Sequence, residues 1–577
     1  LGIDSVISIG DDELLEKLRK YYCIHSNREY NPILNTDDDF RAKRITLYLN
    51  LINELAEEKF YKFKEELAVN CTSRNNYFRL LPESSQLLSN YHTFLTSNPS
   101  EKETKHWINQ HLRQGSIDVN IMTKADRENY RKSEKLPVIF NDAHAGLRGY
   151  CQSKLVSSIV FSAGMNPRLF TYAEEFNDFY PDNNGCIQKK IILKVTDFRS
   201  ARIQGMFLAK KGLWVSEFRI ESGLNCGGHA FASDGTLMGP ILEEFKNKRN
   251  DLSEELQQLF VQALIGKNKT IPKLNPGLKI TAQGGVGTAE EHQFLLNYYN
   301  LDSIGWGTPF LLVPEAINID PTTLQKLIAA TEHDLYLSDV SPLGVPFNTL
   351  RGNSMEEEKY KRVKSNKPGS PCIKKHLITN TEFTKLPICI ASRKYQHEKI
   401  KELDQMMLSA DEYQHRLENI TEKECLCTGL GQTVLINNNI PSAIARYAVS
   451  ICPGPNMAYF TKAMSLQEII DHIYGRINVI TRTDRPNVFI KELDLNINFL
   501  KGKINKQQPS QGGKEQKEIQ TFLLNLEKGI KYYFELFTGT SMFFSIINSQ
   551  IIEQLKDLEK ETMSIRDRIQ QPSLPVY

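Results

Sequence analysis

Hydrophobic and polar positions follow one period up to about residue 115 and another after it. In the first stretch apolar residues recur every three or four positions. Asp11 and Asp12 precede such a run to Tyr22. Phe40–Val69 sets Ile45, Leu47, Leu49, Leu51, Ile52, Leu55 and Ala56 among Lys, Arg and Glu, and residues 101–113 carry Trp107 and Ile108 on one side. Each run predicts an amphipathic helix with one solvated face. From Ser116 the chain alternates or forms short solid apolar runs, which predicts strands over 117–122, 156–161, 190–195, 214–220, 278–283 and 302–305. Six strands alternating with helical segments imply a parallel sheet. The expected fold is therefore α/β, a (β/α)8 TIM barrel with additional N- and C-terminal helical regions. Eight strands are needed. Residues 5–9 offer a short seventh, and the remainder is expected in disguise in the N-terminal region or ahead of Leu1.

The pattern divides the chain into residues 1–115, mainly helical and able to supply the first barrel elements; 116–350, the barrel; and 351–577, helical again. An insertion over 231–276, with helical runs at 241–249 and 253–265, is placed to act as a lid. In the last region helices are expected over 396–407, 442–449, 466–475, 517–537 and 548–566. The charged, proline-bearing stretch 355–371 is expected to be a loop or linker, and the Gln/Gly/Lys-rich stretch 503–514 a mobile loop. The final helix carries Ile551, Ile552, Leu555, Leu558 and Met563, a stripe that serves helix packing or a homodimer contact.

Composition narrows the function classes. A net charge of +2 gives no bulk attraction to nucleic acid or an anionic membrane. No apolar run is long enough to cross a bilayer. The ten cysteines are dispersed, which points to a reducing cytoplasm. Cys425 and Cys427, with Cys452 beyond them, lack the usual metal-ligand spacing and a fourth ligand, so no metal site is expected.

Chemistry concentrates at glycine turns. Gln283-Gly284-Gly285-Val286-Gly287 ends a short apolar strand, and Thr288 follows as a helix cap. About 20 residues later Gly305-Trp306-Gly307-Thr308 ends a second strand. Bare glycine backbone allows tight turns and leaves amides accessible to a phosphate. Two such strand-to-turn units in succession are how barrels hold a cofactor phosphate at their last strands. Ser222 opens another turn, in which Cys226 precedes Gly227-Gly228-His229. A histidine at a strand's C-terminal end is a candidate acid or base; the alternative is a histidine bonded to a neighbouring loop. Asn120 ends the strand 117–122 and can read an amide-like ring edge or make an Asx turn. His144, in Asn141-Asp142-Ala143-His144, is expected in a surface loop or at a helix N-terminus.

Four motifs in order resemble the FMN-dependent nitronate monooxygenase-like barrels, a group that includes the flavin enoyl reductases of polyunsaturated-fatty-acid and trans-acting polyketide synthases. Those motifs are Val119-Asn120-Ile121-Met122, Asn225-Cys226-Gly227-Gly228-His229, Gln283-Gly284-Gly285-Val286 and Trp306-Gly307-Thr308-Pro309-Phe310, followed by Glu315. Ile451 to Phe460 is similar to a Cys-Gly-Pro stretch of the synthase-associated members. The resemblance implies an FMN-dependent oxidoreductase. Asn120 would contact the flavin ring, and Ser222 stands where the family often has Gln. Gly227, Gly285, Gly305, Trp306, Gly307 and Thr308 would surround FMN, and His229 matches the active-site histidine. Two reactions compete: a nitronate monooxygenase-type oxidation, with proton removal beside a nitro group and then oxygen, and an enoyl reductase reaction with NAD(P)H as electron donor. The substrate would be a small molecule or an acyl thioester. The chain departs from the pattern at Asn225-Cys226, where the family has Glu-Ala, and lacks the family's opening Ala-Pro-Met segment. Those departures keep open a second reading, a non-catalytic scaffold or partner-binding protein.

Overall fold

The computed structural model describes residues 4–131, 134–162, 164–441, 448–506, 513–539 and 548–570. It divides into two compact units, each discontinuous in sequence. The first is Leu1–Lys194, Ile203–Glu217 and Glu254–Leu278; the second is Val195–Arg202, Phe218–Ser253 and Lys279–Tyr577.

In the first unit, strands β1 (Ser5–Ser8), β2 (Ile117–Met122), β3 (Ser158–Ser162) and β4 (Lys190–Val195) run parallel, with Val6 opposite Asp118, Val119 opposite Ile159 and Ile159 opposite Ile191. Val119, Ile159, Val160 and Phe161 are almost wholly buried, which explains the solid apolar runs. The helix Phe40–Val69 has the bounds its periodicity predicts. Its first turns pack on the helix Asp142–Cys151 so closely that a Cβ at Gly149 would lie 2.8 Å from Ala42 O. Three further helices, Cys71–Arg79, Gln86–Leu95 and Glu101–His111, enclose a separate cluster of Phe60, Leu67, Tyr77, Phe78, Tyr91 and Trp107.

Strand β5 (Val215–Glu221) is shared between the units, and β6 (Lys279–Gln283) and β7 (Ser303–Gly305) belong to the second. The seven strands succeed one another in chain order in one parallel sheet. This corrects the expected closed eight-stranded TIM barrel: the fold is α/β, but its sheet is open, with β1 and β7 as edges. The local reasons are visible in the sequence. β7 has only three residues, of which Ser303 and Gly305 are exposed. The next apolar run, β8 (Leu335–Ser338), pairs antiparallel with β9 (Phe347–Leu350) instead of extending the parallel ladder. The short strand expected over 5–9 does form, and three of its four residues are exposed, as befits an edge.

Other expectations change in detail. Residues 238–266 form one helix, Met238–Gly266, where two runs were expected. The buried stripe Leu242, Phe245, Leu252, Leu256, Phe260 and Leu264 continues through Ser253 without a break. The charged stretch read as a linker contains the helix Ser354–Lys364, because Asn353 caps the amides of Met355 and Glu356. The helix Val488–Lys506 was not anticipated, and it takes in the start of the expected loop at 503–514, as Gly513–Gly539 takes in its end; residues 507–512 lie outside the described residues. Of the helix expected at 442–449, residues 442–447 also lie outside them. Val488–Lys506, Gly513–Gly539 and Asn548–Gln570 pack together, and Ile551 and Leu555 of the last are buried in that packing. Among the described residues no helix is long and apolar enough to cross a membrane.

Candidate functional site

Both glycine turns lie in the second unit and are neighbours, because β6 and β7 pair in parallel with Gln283 opposite Gly305. Gly284 and Gly285 take φ values of +118° and +78°, which disfavour any side chain. They also lack room for one. A Cβ on Gly284 would lie 2.7 Å from Cys226 Sγ and 2.9 Å from Ser222 Cβ, and one on Gly285 would lie 2.0 Å from Asn225 Nδ2. The loop after β5 thus packs directly on the first glycine turn. Ser222 N–H donates to Gln283 O at 3.1 Å and Gln283 Nε2 donates to Glu221 at 2.8 Å, which ties the two strand ends together.

A buried ion pair holds the far side of that turn. Arg485 donates to both oxygens of Glu291 at 2.8 Å, to Gly285 O at 2.9 Å and to Asn456 Oδ1 at 3.0 Å. Glu291 also accepts from the amides of Gly287 (2.9 Å) and Val488 (2.8 Å). The Gly287 N–H is therefore already bonded. Thr288 caps the following helix, Ala289–Tyr298, through Glu291 N–H, as its sequence predicts.

The second turn is more open. Gly305 and Gly307 are exposed, and no atom lies within 4 Å of a Cβ built on Gly307. Trp306 is fixed by its indole N–H, which donates to His292 Nδ1 at 2.9 Å. Burial pushes the His292 pKa down to about 4, so that imidazole is a neutral acceptor. Thr308 Oγ1 accepts the Gly454 N–H at 3.1 Å. Cys452 O accepts the Gly228 N–H at 3.2 Å and would lie 2.5 Å from a Cβ on Gly227, while Asn456 Nδ2 donates to Val286 O at 2.9 Å. The segment 452–456 is thus a clasp that touches all three turns. Its residues attracted notice in the sequence, but nothing there specified what they hold.

His229 is half-buried. Its Nε2 lies 2.7 Å from Ser341 Oγ, and its ring meets Phe347 edge-on with centroids 4.9 Å apart. Burial lowers its pKa to about 4, so the ring is neutral at pH 7. The backbone around it is pinned by Ala230 N–H to Pro346 O (2.8 Å) and Asn348 N–H to Gly228 O (2.9 Å). Asn225 is 2% exposed, and among the described residues neither its Oδ1 nor its Nδ2 has a hydrogen-bond partner. A buried amide left so is rare and calls for a partner.

Ser222 Oγ donates to Glu492 at 2.9 Å. Glu492 also accepts from Met238 N–H (2.9 and 3.0 Å) and from the Tyr533 hydroxyl (3.0 Å), so it caps the helix Met238–Gly266. Complete burial outweighs these donors and pushes its pKa up to about 7. Neither Arg485 nor Glu492 was identified from sequence. Asn120 belongs to the first unit, half-buried on β2 and in register with Ser8 and Val160. His144, also in the first unit, lies inside the first turns of a helix and pairs with Asp126 at 2.9 Å. A cavity of about 680 Å³ in the second unit is lined by Leu224, Phe231, Leu337, Lys491 and Phe522, among others, and by neither glycine turn. Among the described residues no group of three or more His, Cys, Asp or Glu is placed to hold a metal ion.

No family model matches the chain, and no curated protein does. Among solved structures, it is similar to the enoyl reductase domain of MlnA from the macrolactin biosynthesis cluster of Bacillus amyloliquefaciens. The identity is 11%, the match covers 70% of this chain and 87% of that one, and the TM-score is 0.32.

Proposed function

We propose that this chain is an FMN-dependent oxidoreductase of the enoyl reductase type, with the flavin phosphate at the paired glycine turns and His229 as the proton-handling group. The observation that carries the reading is the side-by-side placement of the two turns with the unpartnered amide of Asn225 against the first. Gly307 leaves space for a bulky group at the second turn, so the residues present fit a phosphate ester there. FMN, when bound, supplies hydride transfer between NAD(P)H and an acyl-thioester substrate.

The chain's own residues would then divide the work. Asn225 offers one donor and one acceptor to a polar group. Gly307 admits the ligand to the backbone of the second turn, which Thr308 and Gly454 hold in place, while Gln283 fills the space beside Gly305. His229 is neutral above about pH 4, so at neutral pH the proton that enoyl reduction adds to the substrate carbon would come from its neutral ring N–H. Ser341 Oγ accepts the Leu343 N–H at 3.3 Å, and its own proton is available to His229 Nε2, which places the ring proton on Nδ1. The large cavity, with its apolar wall, accommodates an acyl chain.

One observation favours the other reading, a scaffold without a cofactor. Glu291, Arg485 and Asn225 account for the glycines of the first turn with no ligand at all. Titration with FMN and, separately, with riboflavin distinguishes the two by flavin fluorescence. A phosphate-gripping site binds FMN at least about tenfold tighter than riboflavin, since one charge-assisted phosphate contact is worth more than about 1.4 kcal/mol. Equal affinities would remove the phosphate grip from the glycine turns, and no uptake of either would favour the scaffold.

A further inference from the structure

In the second unit, residues 372–389 form a loop closed at its neck. Ser370 N–H donates to Ala391 O at 2.9 Å, and Arg393 N–H donates to Ser370 O at 2.8 Å. Gly369 lies so close to the returning limb that a Cβ there would be 2.7 Å from Arg393 N. Further in, Asn380 and Ile388 exchange backbone hydrogen bonds of 3.0 and 2.8 Å. Between these two crossings lie Cys372 on one limb and Cys389 on the other, with their thiols hydrogen-bonded to each other. Cys389 is 3% exposed, whereas Cys372 is partly exposed and borders a small cavity of about 40 Å³ that it shares with Arg362 and Ser370. Cys427 approaches the same loop, but its sulfur is engaged by the backbone N–H groups of His376 and Leu377.

We propose that Cys372 and Cys389 are a thiol–disulfide modification site, oxidised by a low-molecular-weight disulfide of the glutathione type. Cys372 is the entry point, because it is the exposed member of the pair and borders the cavity, where a small disulfide can reach its sulfur. The Cys372 thiolate attacks one sulfur of the small disulfide, its S–S bond breaks, and one small thiolate leaves and takes up a proton. Cys389 then attacks the Cys372 sulfur, the second small thiolate leaves, and the Cys389 proton passes to that leaving sulfur. The two protein thiols are oxidised to one disulfide, and one small disulfide is reduced to two thiols. The bond fixes the loop at its neck and does not depend on flavin binding.

The test uses the full chain. The reduced protein is incubated with oxidised glutathione, its remaining thiols are alkylated with iodoacetamide, and the digest is mapped by mass spectrometry. The expected result is the loss of two of the ten thiols and their recovery in a peptide pair joined through Cys372 and Cys389. In Cys389→Ser the reaction stops at a glutathione adduct on Cys372. Alkyl label on both Cys372 and Cys389 after oxidation, or a linked pair that includes Cys425 or Cys427, would overturn the proposal. The wild-type map decides the matter even if the variant does not fold.

Discussion

Arg485→Ala should destabilise the second unit by about 3–5 kcal/mol, the cost of leaving a buried carboxylate without its partner. Arg485 and Glu291 side chains are 7% and 3% exposed, so solvent screens the pair little. Without the guanidinium, Glu291 keeps the amides of Gly287 and Val488 but loses the cation bonded to it, while Gly285 O and Asn456 Oδ1 lose a donor. The loss falls on the glycine turn itself, because Arg485 also fills the space beside Gly287. The check is a urea unfolding curve followed by a probe in the second unit. The double variant Arg485→Met with Glu291→Gln should recover at least half of the loss, since replacing a buried pair on both sides is far milder than breaking it. A single-variant loss below about 1 kcal/mol would mean that the pair is more solvated than its burial indicates.

Glu492→Gln should stabilise the protein, increasingly so as the pH rises. The carboxylate has an ordinary value of 4.5 and is pushed up to about 7 in the folded chain, chiefly by desolvation. A raised folded pKa means that the folded state holds the proton more tightly than the unfolded one. The wild type is therefore favoured below pH 4.5, and that stability is lost as the pH climbs through 7. Gln keeps the shape and does not titrate, so the gap between variant and wild type opens over this window and is flat above it. Its plateau is roughly 3 kcal/mol, about 2.5 pH units at about 1.4 kcal/mol each. Paired thermal melts from pH 4.5 to 8 measure it. A pH-independent difference would show that Glu492 is charged throughout, held so by Met238 N–H, Ser222 and Tyr533.

What the sequence disclosed and what it withheld follow from the range of the interactions concerned. Phe40–Val69 was legible to its end residues because periodicity is a property of neighbours. Closure of the sheet was not, because pairing is decided between distant segments. Nothing in Leu335–Ser338 announces that it will turn back on Phe347–Leu350 rather than continue the parallel ladder. The first glycine turn was legible because Gly284 and Gly285 take backbone angles that a residue with a side chain rarely adopts. Arg485 and Glu492 were not. Each looks like an ordinary charged residue near or within a helix, and their partners at the turns lie 200 residues away for Gly285 and 270 for Ser222.

Gly307 offers the sharpest approach to the flavin site. Its φ is −103°, and a side chain there meets no atom within 4 Å, so Gly307→Val carries neither backbone strain nor a clash with the fold. A group bound at the second turn, however, would collide with the added methyls. The deciding measurement is a fluorescence titration of wild type and Gly307→Val with FMN, with a melting curve of each. Saturable one-to-one uptake by the wild type, lost in a variant of unchanged melting temperature, is the predicted result. A wild type that takes up no FMN, or a variant that binds it equally well, would contradict the assignment.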